Sequence, residues 1–259
     1  MNEQHLRKYY DIVNQLYDST HGGFARRHPE KGDFTKLMHA QKHEQAATGA
    51  KPAGAGQQTL IEDEKALPEA PIFSSLEELI SAAKNCDRCR LCHTRKNVVT
   101  GMGVLTPDVF VVGEGPGANE DEQGLPFVGR GGQYLDKWLD SIGLSRATNC
   151  YIANIVKCRP PENRDPMKDE IEACVGYLNQ QIAFLKPKII FACGRIAAQT
   201  LTGRASALAA LRQKIHSYQD IPLVITYHPA GVLRNQDLRR PVWEDLKFLK
   251  NLLEEMPKD

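Results

Sequence analysis

Short apolar runs alternate with amphipathic stretches through the last two thirds of the chain. The runs at 108–112, 150–156, 188–193 and 222–227 are short, rich in Val, Ile, Phe and Tyr, and bounded by polar or glycine-containing segments, so they predict four strands. Between and after them, apolar positions recur at helical spacing near 131–143, 168–184, 195–202 and 241–254, predicting helices. A further helix is predicted from near Leu76, with Ser75 as its cap and Glu77 and Glu78 in the first turn, where the helix dipole favours acid. Strands alternating with helices predict an α/β, three-layer αβα fold with a central parallel four-stranded sheet covered on both faces. Ligands in such sheets bind at the carboxyl ends of the strands. Chemistry is therefore expected in the segments that leave those ends.

The first seventy or so residues lack this organisation. Residues 5–18 carry apolar positions at roughly helical spacing and predict one amphipathic helix. From Ser19 to about Pro71 the chain is rich in Gly, Ala, Gln, Lys and Pro without periodicity, which predicts a largely disordered extension. The expected division is an N-terminal extension over 1–72 and a folded domain over 73–259. Within the extension, Gln57-Gln58-Thr59-Leu60-Ile61 faintly resembles the glutamine-plus-aliphatic peptides that dock onto DNA sliding clamps. Chance occurrence in a linker is the competing reading.

With 259 residues, 41% apolar and 25% charged, the chain can bury a full core. Its net charge of +1 gives no global pull towards nucleic acid or acidic membranes, so any DNA contact must come from a local patch. No apolar run approaches the roughly 18 residues of a membrane helix, and no signal-peptide core is apparent at the N-terminus. The seven cysteines then read as intracellular thiols available for metal. The expectation is a monomeric, cytoplasmic protein.

Chemistry gathers at three strand ends. Gly113-Glu114-Gly115-Pro116-Gly117 leaves the first strand, and its glycines let a ligand approach the backbone closely. The continuation to Gly129 is acidic, then glycine-rich, and contains one large aromatic, Phe127. In such a loop Phe127 is a candidate stacking platform for a flat ligand or a plug in the core. Asn154 ends the second strand, where it could read a ligand or bond the local backbone. His228-Pro229 comes directly after the apolar run Leu223-Val224-Ile225-Thr226 and Tyr227. Cys86 and Cys89 form a C-x2-C pair, and Cys158 and Cys174 lie beyond the second strand, so the four suggest a metal site. Cys92 extends the first pair to C-x2-C-x2-C, as in a bacterial ferredoxin, but Lys96 stands where that pattern continues with cysteine. Four cysteines also suit tetrahedral zinc. Cys150 and Cys193 fall inside strands and read as ordinary buried thiols.

Three segments in order, GEGPGANEDEQGLPFVGRGG, YIANIVKCRPPENRDP and YHPAGVLRN, together with these cysteines, resemble the iron–sulfur uracil-DNA glycosylases of family 4 over about residues 80–255. The resemblance implies excision of uracil from DNA, leaving an abasic site without cutting the backbone. It also implies a 4Fe–4S cluster held by Cys86, Cys89, Cys158 and Cys174. Phe127 would stack on a flipped-out uracil, Asn154 would bond its Watson–Crick edge, and His228 would stabilise negative charge on the departing base. Another family of glycosylases carries an aspartate where this chain has Gly115, so Glu114 or Glu120 is left to position the attacking water. In the 229–235 segment, Leu233 would wedge into the vacated stack and Arg234 would meet phosphate or base edges. Lys157, Arg159 and Arg164, with Arg239 and Arg240, are candidate phosphate contacts. The rival readings are a non-catalytic or covalently trapping relative, and a zinc or iron–sulfur interaction protein. The trapping relatives carry a basic, histidine-containing insertion where this chain has only Cys158 to Arg164, short and without histidine.

Overall fold

The computed structural model describes residues 71–256. The helix expected over 5–18, the linker and the clamp-like peptide Gln57–Ile61 lie outside the described residues. Among those residues no helix is long and apolar enough to cross a membrane.

The sheet is built on β2 (Val109–Gly113), β3 (Cys150–Asn154), β4 (Ile189–Cys193) and β6 (Ile221–Thr226), and β2 to β4 are buried along their whole length. Two short strands, β1 (Met102–Gly103) and β5 (His216–Tyr218), extend it to six in the order β1-β3-β2-β4-β6-β5. The four central strands are parallel, and the two edge strands pair antiparallel. The expected count of four is therefore corrected to six. Strands of two and three residues are too short to show a period. The β5–β6 hairpin turns through Gln219 and Asp220, both at positive φ (50° and 62°), a conformation for which Gly or Asn is the usual sequence signal.

The helices are α1 (Leu76–Lys84), α2 (Ala118–Gln123), α3 (Arg130–Ser141), α4 (Lys168–Leu185), α5 (Arg195–Thr202), α6 (Leu208–Leu211), α7 (Pro229–Arg234) and α8 (Arg239–Glu254). Ser75 caps α1 as expected, accepting from the Glu78 amide at 3.2 Å, while the Glu78 carboxylate accepts from the Ser74 amide. Alternation along the strands divides the core. Phe110, Val112, Ala153, Ile190 and Ile225 join one cluster with residues of α1, α4 and α5. Val109, Val111, Ile152, Phe191 and Val224 point to the opposite face and are also fully buried. The buried stripes of α3 and α8 lie outside that first cluster, and α8 bonds the second face through Asp245 and Thr226.

From β2 the chain goes to β3 on one side, then crosses to β4 on the other. The tip of β2 is thus a topological switch point, where neighbouring connections diverge and leave a crevice.

Candidate active site

A cleft opens at that tip, and Phe127, Asn154 and His228 all line it. These side chains come from three segments far apart in the chain, and the register explains how two of them meet. Gly113 pairs directly with Asn154 across β2 and β3. A Cβ at Gly113 would lie 2.4 Å from Asn154 Oδ1 and 2.5 Å from Phe127 Cζ, so only glycine lets the amide and the ring share this spot.

Phe127 sits in the α2–α3 loop with φ at +52°, a region that bulky residues rarely occupy. The loop is braced on both sides. The Val128 and Gly129 amides donate to Glu120 Oε1 at 2.9 and 2.8 Å. Arg146 donates to the carbonyls of Pro126 and Phe127, and Asp136 holds its guanidinium in turn. Gly132 supplies the necessary space, since a Cβ there would lie 1.9 Å from the Phe127 carbonyl oxygen. The buried Phe127 ring lies 5.7 Å from the His228 ring at an interplanar angle of 27°.

Asn154 is 1% exposed, yet its Oδ1 is buried and has no hydrogen-bond partner. The alternative in which this side chain merely ties down its own strand end through Oδ1 does not describe what is seen. A buried acceptor left unpaired costs about 1–3 kcal/mol, which makes Oδ1 a candidate acceptor for a ligand's donor.

His228 is the N-cap of α7, and its Nδ1 accepts from the Ala230 amide at 3.2 Å. With Nδ1 accepting, the ring proton of the neutral imidazole resides on Nε2, which is free to donate. Burial pushes the His228 pKa down to about 4, the Arg234 charge adds to this, and Glu120 opposes it. The ring is therefore neutral near pH 7. The strand leading to it is held firmly. Buried Asp245 accepts from Thr226 Oγ1 at 2.7 Å, from Gln213, and from Arg212 through two bonds. The Arg212 guanidinium lies 4.5 Å over the Tyr227 ring.

Glu114 and Gly115 line the cleft floor. Burial, then the charge of Asp165, raises the Glu114 pKa, while Arg195 opposes. Asp165 is itself paired with Arg195. Glu120 also faces the cleft, but one carboxylate oxygen is committed to the Phe127 loop. Arg234 lies exposed at the rim, whereas Leu233 is half-buried on α7 and outside the lining. Sequence reading missed Arg164 and Asp165 as cleft residues, because their position depends on the chain folding back after β3. Arg164 also holds buried Glu170 through two bonds of 2.8 and 2.6 Å, and the charge-plus-proline run gave no hint of this.

A second cavity is lined by Cys86, Cys89, Cys158 and Cys174, with Arg95, Lys157 and Tyr177. Cys92 stands outside that lining, half-exposed, with its sulfur 3.7 Å from His93 Nδ1. The Lys157 amide donates to Cys174 Sγ at 3.2 Å, and Arg95 Nη1 donates to Cys158 Sγ at 3.4 Å. Burial pushes the Cys158 and Cys174 thiols up to about 11 and 12. Among the described residues, no three His, Cys, Asp or Glu side chains converge closely enough to hold one metal ion. Cys150 and Cys193 are buried within strands, as expected. Lys157, expected as a phosphate contact, is instead 2% exposed, because the chain turns inwards there and its ammonium bonds Asn154 O and Gln181 Oε1.

A neutral imidazole donor, an unpartnered amide and an aromatic face around a strand-end cleft define a site for a flat, polar-edged ring. The family model described as Uracil DNA glycosylase superfamily matches residues 100–247, and the chain belongs to that superfamily. It is 46% identical to a Type-4 uracil-DNA glycosylase of Pyrobaculum aerophilum over 179 residues, covering 66% of this chain and 91% of that protein. It is 40% identical to a Type-4 uracil-DNA glycosylase of Thermotoga maritima over 183 residues, covering 69% and 95%. Similarity to a Type-5 uracil-DNA glycosylase of Pyrobaculum aerophilum is 27% over 186 residues, covering 60% and 82%.

Proposed function

We propose that this chain is a monofunctional uracil-DNA glycosylase of the type-4 kind, hydrolysing the N-glycosidic bond of deoxyuridine in DNA and leaving an abasic site. The observation that carries this reading is the unpartnered Asn154 Oδ1, buried beside the Phe127 ring and the neutral His228. A uracil stacked in duplex DNA must be extruded before any side chain reaches its glycosidic bond. Once in the cleft, its N3–H satisfies Asn154 Oδ1 and its O4 accepts from the same amide. Cytosine presents an acceptor at N3 and a donor at N4, so this amide orientation leaves both sides unpaired and rejects it. Phe127 supplies a stacking face worth about 1–3 kcal/mol.

Bond cleavage puts negative charge on the departing base. His228 Nε2–H donates to uracil O2 as that charge develops, and as a neutral donor it offers stabilisation without giving up its proton. Water then attacks the sugar. Glu114 is the better placed of the two glutamates to orient it, because Glu120 is occupied with holding the Phe127 loop. Arg234 at the rim meets the DNA backbone, and Leu233 enters the vacated base stack as α7 adjusts on binding.

In the cavity lined by Cys86, Cys89, Cys158 and Cys174 the residues fit a 4Fe–4S cluster. Four cysteines share one cavity, and two of their sulfurs accept hydrogen bonds. A single zinc would need all four sulfurs at about 2.3 Å from one point, whereas a cluster gives each cysteine its own iron. Bound there, the cluster would supply covalent ties between the 86–89 segment, the segment after β3 and α4. Incubating the protein with a labelled uracil-containing oligonucleotide, then alkali, tests the function. Scission at the uracil is expected, and an intact strand would overturn the reading.

A further inference from the structure

Lys157 is one of the largest fully buried side chains, and its ammonium lies between neutral acceptors. Taking a positive charge out of water without a carboxylate partner is costly, so the position needs a reason. Its Nζ donates to the backbone carbonyl of Asn154 at 2.9 Å and to Gln181 Oε1 at 2.7 Å. Gln181, itself fully buried on α4, donates to the Thr100 carbonyl at 2.7 Å. At the other end of the same residue, the Lys157 amide donates to Cys174 Sγ and its carbonyl accepts from the Val99 amide at 2.8 Å. The residue therefore bonds the last carbonyl of β3 with its head and the cysteine cavity with its backbone.

The Asn154 carbonyl belongs to the peptide directly after the Asn154 side chain. If that peptide rotated, the side-chain amide would swing with it, and the orphaned Oδ1 would leave its place beside Gly113. Buried backbone carbonyls are paired almost without exception, and here a lysine supplies the pairing from three residues downstream. We propose that Lys157 is a positioning residue for base recognition: it locks the peptide that aims Asn154 and anchors that lock, through Gln181 and Cys174, to α4 and the cysteine cavity. This rests on the reading of Asn154 as the uracil reader.

A double-mutant cycle in the full chain tests it. Single-turnover excision from a uracil oligonucleotide is compared for wild type, Lys157→Met, Asn154→Ala and the double variant, each normalised to metal-loaded protein. Lys157→Met is expected to slow excision by tenfold or more in the wild-type background and by less than threefold when Asn154 is already absent. The same variant should lose preference for uracil over cytosine. If the two losses agree within threefold, Lys157 acts by general stability rather than through Asn154 and the proposal fails. Should Lys157→Met not fold, Gln181→Met removes the anchor and runs through the same cycle with the same criterion. Failure of wild type to excise uracil would instead defeat the functional reading itself.

Discussion

Replacing His228 with alanine removes the Nε2–H proposed to face the departing base while leaving the β6 clamp of Asp245, Arg212 and Tyr227 in place. Loss of one preorganised donor to a developing anion costs about 2.7–4 kcal/mol, so excision should slow by roughly 10²–10³. The pKa of His228, lowered to about 4, adds a second signature. Because the ring is already neutral well below its ordinary 6.5, wild-type single-turnover rates should show no histidine limb between pH 6 and 8. Stability should respond in the opposite sense to a histidine kept charged by an acidic partner. Below 6.5 the unfolded chain takes up a proton that the folded chain refuses until about 4, so stability is lost as pH falls through that window. The full difference corresponds to ~3 kcal/mol, reduced in practice because the ring opens onto the cleft. Urea midpoints of wild type should therefore fall more between pH 7 and 5 than those of His228→Ala. A rate within tenfold of wild type, or a wild-type activity limb near pH 6.5, would refute the role of a buried neutral donor.

Gly113→Ala should abolish base recognition with modest change in fold, since its Cβ would stand 2.4 Å from Asn154 Oδ1; retention of more than a tenth of activity would contradict the geometry. Asn154→Asp should relax discrimination against cytosine, because a protonated carboxyl can donate where the amide carbonyl accepts; selectivity measured on paired uracil and cytosine oligonucleotides checks it. Phe127→Ala should lower kcat/KM by about ten- to a hundredfold through lost stacking. Removing residues 1–70 should leave excision from short oligonucleotides within twofold, and a larger loss would assign the N-terminal segment a part in catalysis.

Five of the helices and the four central strands were legible: α1 through its cap and acidic first turn, the others because each repeats its pattern over at least five residues. Predicted and observed bounds differ by only a few positions, as at 195–202 for α5 and 168–184 for α4. The antiparallel edges β1 and β5 were not, being shorter than any period can show. Nor was α2, whose Ala-Asn-Glu-Asp-Glu-Gln run reads as a solvated loop and becomes helical with Gly124 closing it at φ +70°. Of the residues that line the cleft, Phe127, Asn154 and His228 stood out in the sequence because each stands at a strand end or in a glycine-framed loop. Lys157 was misjudged for a related reason: a lysine beside arginines and prolines carries no local mark of burial, which here depends on Gln181 twenty-four residues away.

The buried Asp245 ties the imidazole's strand to a distant helix. The imidazole lies at position 228, yet the carboxylate that steadies its approach arrives seventeen residues later on the final helix. The sheet centre and the cysteine-lined half carry their own buried contacts and do not need that carboxylate. Firm placement of the imidazole therefore waits on the docking of α8 against β6, so a copy with that helix displaced keeps its sheet centre but loses the brace behind His228.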